Sequence, residues 1–150
     1  MFYYLFLGNV CTFDQLKKDA LKFLNDREDF LCKYYENEST ISCKGFTISF
    51  HEDGRHVCFK SEDYKMDLKY WLNFEILNAY TDWAEELMVL IGNFLKLYNS
   101  DCVLESNGDT PIVIRKNTIV TVDDSKLRGT ERFPFHYLGV DYQEGDLKTV

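Results

Sequence analysis

The chain has 150 residues, 45% of them hydrophobic, with only 2 Pro and 8 Gly. That is the length of one domain with an ample core, and it excludes a linker-rich or disordered chain. Seventeen basic against 25 acidic residues leave a net charge of −8, which ill suits a protein that must hold a phosphate backbone, so direct binding of nucleic acid is not expected.

The opening run, Met1 to Leu7, is apolar but lacks a basic flank and a small-residue cleavage site. It ends at Gly8-Asn9 and is expected to be a central strand rather than a signal peptide. Thr12-Phe-Asp-Gln15 is a capping box, with Thr12 as N-cap and Gln15 reaching back. The helix it opens turns Phe13, Leu16, Ala20, Phe23 and Leu24 inward and Lys17, Lys18, Asp19 and Lys22 outward. Residues 27–45 carry weak signals. Phe30, Leu31, Tyr34 and Tyr35 fit a short helix or a strand, residues 36–40 read as a loop, and 41–43 can begin a strand.

Phe46, Ile48 and Phe50 then alternate with Thr47, Ser49 and His51. Residues 52–55 form a turn, and Val57 and Phe59 alternate with His56, Cys58 and Lys60. The pattern predicts a hairpin with one wet face, then a turn at 61–63 and a third strand over 64–72. From Trp83 the period changes. Trp83, Leu87, Leu90, Ile91, Phe94 and Tyr98 lie on one helical face, with Asp82, Glu85 and Glu86 at its start and Lys96 near its end. Gly92, inside this helix, marks a contact with another backbone. Residues 102–105 and 111–115 are strands joined by the Ser106-Asn107-Gly108-Asp109 turn, and 118–122 is a third strand. The aromatic stretch around Pro134 is expected to pack, and about the last six residues to stay loose. Runs of strands between helices predict an α+β fold: an antiparallel sheet of about six to seven strands with two main helices packed on it, over one domain, residues 1–150.

No motif carries catalysis. The glycines are isolated, so there is no phosphate loop. His51 and His56 flank a predicted turn, and with Cys58 or Asp53 could form a metal site, but they lack a ligand spacing and read as solvated sheet histidines. A Cys58–His nucleophile pair has no orienting third group. The carboxylate pairs 52–53, 62–63, 85–86 and 123–124 sit at turns or helix starts, where acids are common. Catalytic, metal and cofactor sites are therefore expected to be absent. Five cysteines, an odd number with no C-x-x-C, read as reduced thiols in a cytoplasmic protein. The longest nearly apolar run, residues 87–95, is about half of a membrane span, so no membrane partner is expected. Trp71, on the polar face of its predicted strand, is either part of a protein-binding patch or covered by a helix on the second sheet face.

Three segments carry a family resemblance: Leu72-Asn-Phe-Glu-Ile-Leu, then Tyr80-Thr-Asp-Trp-Ala-Glu-Glu-Leu, then Asp101-Cys-Val-Leu-Glu-Ser-Asn-Gly-Asp-Thr-Pro-Ile-Val-Ile-Arg115. Over residues 66–122, and more loosely over 2–24, the chain resembles the SitI3-like family of bacterial immunity proteins, encoded beside polymorphic toxins. It departs from the family pattern at Asp109, at Pro111 and in its aromatic end. The resemblance implies stoichiometric inhibition of a cognate toxin domain in the cytoplasm, without catalysis or cofactor. The expected contact surface is Glu52, Asp53, Glu62, Asp63, Asp67 and Trp71, with Asp82, Glu85 and Glu86 as a second candidate. The competing reading is a non-catalytic structural or adaptor domain of a bacterial assembly. Oligomeric state has no signature in the sequence.

Overall fold

The computed structural model describes residues 1–26, 33–35, 39–77, 79–127 and 132–147, with residues 33–35 described for the backbone alone. The chain is α+β. In order it forms β1 (Phe2–Leu7), α1 (Phe13–Asn25), β2 (Lys33–Tyr35), β3 (Thr40–Ser42), β4 (Phe46–Glu52), α2 (Gly54–Tyr64) and β5 (Tyr70–Ile76). There follow α3 (Trp83–Leu97), β6 (Cys102–Ser106), β7 (Thr110–Lys116), β8 (Ile119–Val122), a 3-10 turn (Phe135–Leu138) and β9 (Gln143–Glu144). The described strands make one nine-stranded sheet in the order β2-β3-β4-β5-β1-β6-β7-β8-β9. Every pairing is antiparallel except β8–β9. The strand and helix counts exceed the expectation because β2, β3 and β9 are only two or three residues long and α2 is new.

The apolar opening run becomes β1 at the middle of the sheet, between β5 and β6. Its two faces meet two different cores. Tyr3, Leu5 and Leu7 join Phe46, Ile48, Phe50, Leu72, Phe74 and Leu104 beneath α1 and α3. Phe6 lies on the other face with Val57, Met66, Leu68, Val103, Ile114 and Leu147, beneath α2. Leu147 is 3% exposed, so part of the stretch expected to be loose is anchored.

The first face follows the sequence closely. The Thr12 hydroxyl accepts from the Gln15 N–H at 3.2 Å, as an N-cap should. The Gln15 side chain does not reach back; it donates to Asp19 Oδ1 at 2.8 Å. Lys17, expected to face outward, is buried to 9% with its ammonium 4.6 Å from the Phe13 ring centroid. A Cβ at Gly92 would come within 1.9 Å of the Leu138 carbonyl oxygen, so the helix needs glycine where the 3-10 turn crosses it. Arg115, on β7, holds the end of α3. Its guanidinium donates to the carbonyls of Ser100 at 2.7 Å, Leu95 at 2.6 Å and Tyr98 at 2.6 Å. A cation there offsets the negative end of the helix dipole and satisfies carbonyls that the helix leaves open. Pro111 is tolerated because it faces Glu105 where the β6–β7 register shifts.

The second face departs from the expected meander. Residues 54–64 are helix, not strand, and β5 begins at Tyr70 rather than near 64. In a strand Val57 and Phe59 would share a face. In α2 they lie on opposite sides, with Val57 3% and Phe59 56% exposed. Met66 and Leu68 belong to the core under α2, whereas Tyr70 and Leu72 face α1 and α3. One alternating run therefore serves two layers. Of the weakly marked segment, 41–42 are in β3 and 33–35 in β2, while Phe30, Leu31 and residues 36–38 lie outside the described residues.

Candidate functional site

The entry to α2 has an unusual backbone. Asp53 sits at φ 56°, ψ −156°, a region left almost entirely to glycine, and Gly54 follows at φ 92°. The Asp53 N–H donates to the Lys69 carbonyl at 2.7 Å, which ties the end of β4 to the start of β5. The chain thereby reverses sharply and lays α2 back across the sheet.

The inner face of α2 is polar and titratable. His56, Lys60 and Tyr64 recur every four residues and point the same way. Lys60 Nζ donates to Glu105 Oε2 at 2.9 Å and to the Gly108 carbonyl at 3.2 Å. The Tyr64 hydroxyl donates to the same carboxylate oxygen. Burial, and then Glu105, push the Tyr64 phenol far above its ordinary range. The Glu105 side chain is 0% exposed, and its Oε1 has no hydrogen-bond partner among the described residues. A carboxylate so deep is tolerated because an ammonium and a phenol meet it. Further along, His56 packs edge-on against Trp71 (4.6 Å between centroids), Tyr4 (5.5 Å) and Phe6 (5.4 Å). His51, from β4, stacks on Trp71 at 4.0 Å. Burial and then the His56 charge lower the pKa of His51. Burial and then Lys60 lower that of His56, with Glu105 opposing weakly. Neither histidine is the solvated sheet histidine expected from the sequence.

The outer face of α2 is different. Arg55, Cys58, Phe59, Glu62 and Asp63 are all exposed. Phe59 thus stands in solvent with two carboxylates within one helical turn. Glu62 and Asp63 lie in the last turn, where the helix dipole disfavours acids, so local helix stability does not account for them.

The nine acidic and aromatic residues expected at a partner surface separate into two groups. Glu52 and Asp53 lie at the end of β4, Glu62 and Asp63 on α2, and Asp67 between α2 and β5; all are exposed. Asp82, Glu85 and Glu86 start α3, on the other layer of the sheet. Asp82 is exposed, Glu85 half-buried and Glu86 8% exposed, so that group presents one fully exposed carboxylate. Trp71 is half-buried beneath α2, which decides between its two readings: a helix does cover the second sheet face. Phe59 is the exposed aromatic that sequence reasoning missed, because a strand reading placed it on the apolar side. The four-residue recurrence of His56, Lys60 and Tyr64, with Val57 the single β-branched residue of 54–64, was the available signal.

A groove of about 720 Å³ lies elsewhere, against Tyr3, Trp83 and Phe133 with Ser106, Asp109 and Lys126. None of the nine residues lines it. Among the described residues no group of three or more His, Cys, Asp or Glu is placed to hold a metal ion. No helix described is long and apolar enough to cross a membrane. No family model, no curated protein and no solved structure matches the chain.

Proposed function

We propose that the chain is an immunity protein of the SitI3-like kind, a stoichiometric inhibitor that binds a cognate bacterial toxin domain in the cytoplasm and performs no chemistry of its own. The observation that carries this reading is the outer face of α2: Phe59, 56% exposed, beside the carboxylates Glu62 and Asp63. Glu52 and Asp53, before the start of α2, and Asp67, after its end, are further exposed carboxylates on the segments that flank this helix. An exposed aromatic with two carboxylates on one side and Arg55 a turn before it suits a basic protein surface, with the ring as anchor and the carboxylates as guides. A net charge of −8 would steer the chain towards the basic cleft of a toxin that acts on nucleic acid. Asp82, Glu85 and Glu86, at the start of α3, are not part of this surface, and Trp71 lies beneath it.

The test is co-expression with the toxin domain encoded beside the gene. Co-purification and rescue of growth are expected; an adaptor domain would co-purify without rescuing. Asp63→Lys with Asp67→Lys should slow association by about tenfold or more at low salt while leaving the unfolding midpoint in place. An association rate that ignores both the reversal and added salt would remove charge steering and move the interface off α2.

A further inference from the structure

We propose that His51, His56 and Trp71 form an acid-sensitive latch, which holds α2 on the sheet at neutral pH and releases it in mild acid. The latch is a property of the free protein; only its consequence, loss of the partner surface carried by α2, rests on the function proposed above.

The geometry places two imidazoles on one indole, His51 at 4.0 Å and His56 at 4.6 Å between ring centroids. One belongs to the sheet and the other to the helix, so Trp71 is the joint between the two layers. Lys60 lies one turn beyond His56 on the same inner face of α2. The facing groups can be taken element by element. From β1 come Tyr4 and Phe6, and from β5 Trp71; these carry no charge. From β6 comes Glu105, whose Oε2 already accepts from both Lys60 and Tyr64. Glu52, Asp53 and Arg55 at the junction are exposed, where water screens them. Lys69, half-buried at the start of β5, adds a further cation at that end.

Among the described residues this layer therefore offers any new positive charge one buried carboxylate, Glu105, whose Oε2 already meets Lys60 and Tyr64. The Trp71 face would attract a single imidazolium. Two of them on one ring, with Lys60 alongside, repel one another across a half-buried joint. Burial first, and then the neighbouring charge of His56 for His51 and of Lys60 for His56, hold both pKa values below the ordinary 6.5. The sign follows. A group harder to protonate in the folded state contributes its full stability above pH 6.5 and loses it as pH falls through 6.5 towards the folded value. The loss falls on α2 first, because the charges arise between α2 and the sheet. The core under α1 and α3 includes no histidine.

The experiment uses the full chain without partner. With Trp83→Phe, Trp71 is the sole tryptophan, since the chain has 2. Its emission is followed from about pH 7.5 to about pH 5, with hydrogen exchange of residues 54–64 and of α3 in parallel. A red shift of Trp71 is expected, with exchange in α2 faster by about tenfold and α3 unchanged. His51→Phe with His56→Phe should abolish both changes. No transition in the parent protein, or the same transition in the double variant, overturns the latch. If the double variant fails to fold, the imidazole C–H shifts of the parent decide it: titration of either histidine at or above the ordinary value contradicts the proposal. A failed latch leaves toxin binding intact, and failed toxin binding leaves the latch intact, so the two readings fall separately.

Discussion

The two faces of the sheet are built on opposite principles. Beneath α1 and α3 the core is mainly aliphatic and aromatic, with Lys17 and Glu86 also buried, and is closed by Gly92 against Leu138 and by the three carbonyl bonds of Arg115. Beneath α2 a smaller apolar cluster shares the layer with Glu105, Lys60, Tyr64 and two histidines. Apolar packing is indifferent to pH and intolerant of shape; a polar layer tolerates shape but depends on every partner being present. The face that carries the proposed binding helix is thus the one whose attachment can be altered by charge.

Four substitutions sharpen that contrast. The largest effect is expected at Lys60→Met, which leaves the buried Glu105 carboxylate without its ammonium and should cost about 3 kcal/mol in urea unfolding. Adding Glu105→Leu should return stability to within about 1 kcal/mol of the parent. A double variant as weak as the single one would show that the pair does more than neutralise itself. Next is Gly92→Ala on the dry face, where a methyl group has no room beside the Leu138 backbone. It should cost about 2 kcal/mol, with no rescue by a polar change. A cost near zero would mean that the 3-10 turn is not packed on α3. The smallest effect is Asp53→Gly, which relieves a backbone conformation that only glycine adopts readily and should stabilise by about 1 kcal/mol. If the same variant weakens toxin binding, Asp53 is kept for its carboxylate at the cost of strain.

Much of the dry face could be read in advance. Thr12 caps α1, the alternation of Phe46, Ile48 and Phe50 is β4, the Asn107-Gly108 turn joins β6 to β7, and Gly92 meets another backbone. Each signal is local and agrees with its surroundings, so periodicity was enough. Of the proposed surface, the acidic residues at 52, 53, 62, 63 and 67 are exposed, while Trp71 is half-buried and Phe59 is the aromatic that α2 exposes. A short segment with one buried apolar residue, Val57, fits either period, and its alternation of two hydrophobes mimics a strand.

The amino-acid sequence alone determined the α+β class, the central strand β1, the helices α1 and α3 and the acidic surface. Those follow from hydrophobic spacing and composition, which act within a few residues of each other. The tertiary structure decided that 54–64 is a helix. Its inner side chains find their partners far along the chain, Lys60 at Glu105 across 45 residues and Tyr64 at the same carboxylate across 41. A polar helix face is stable only when the sheet supplies such partners, and no local pattern encodes them.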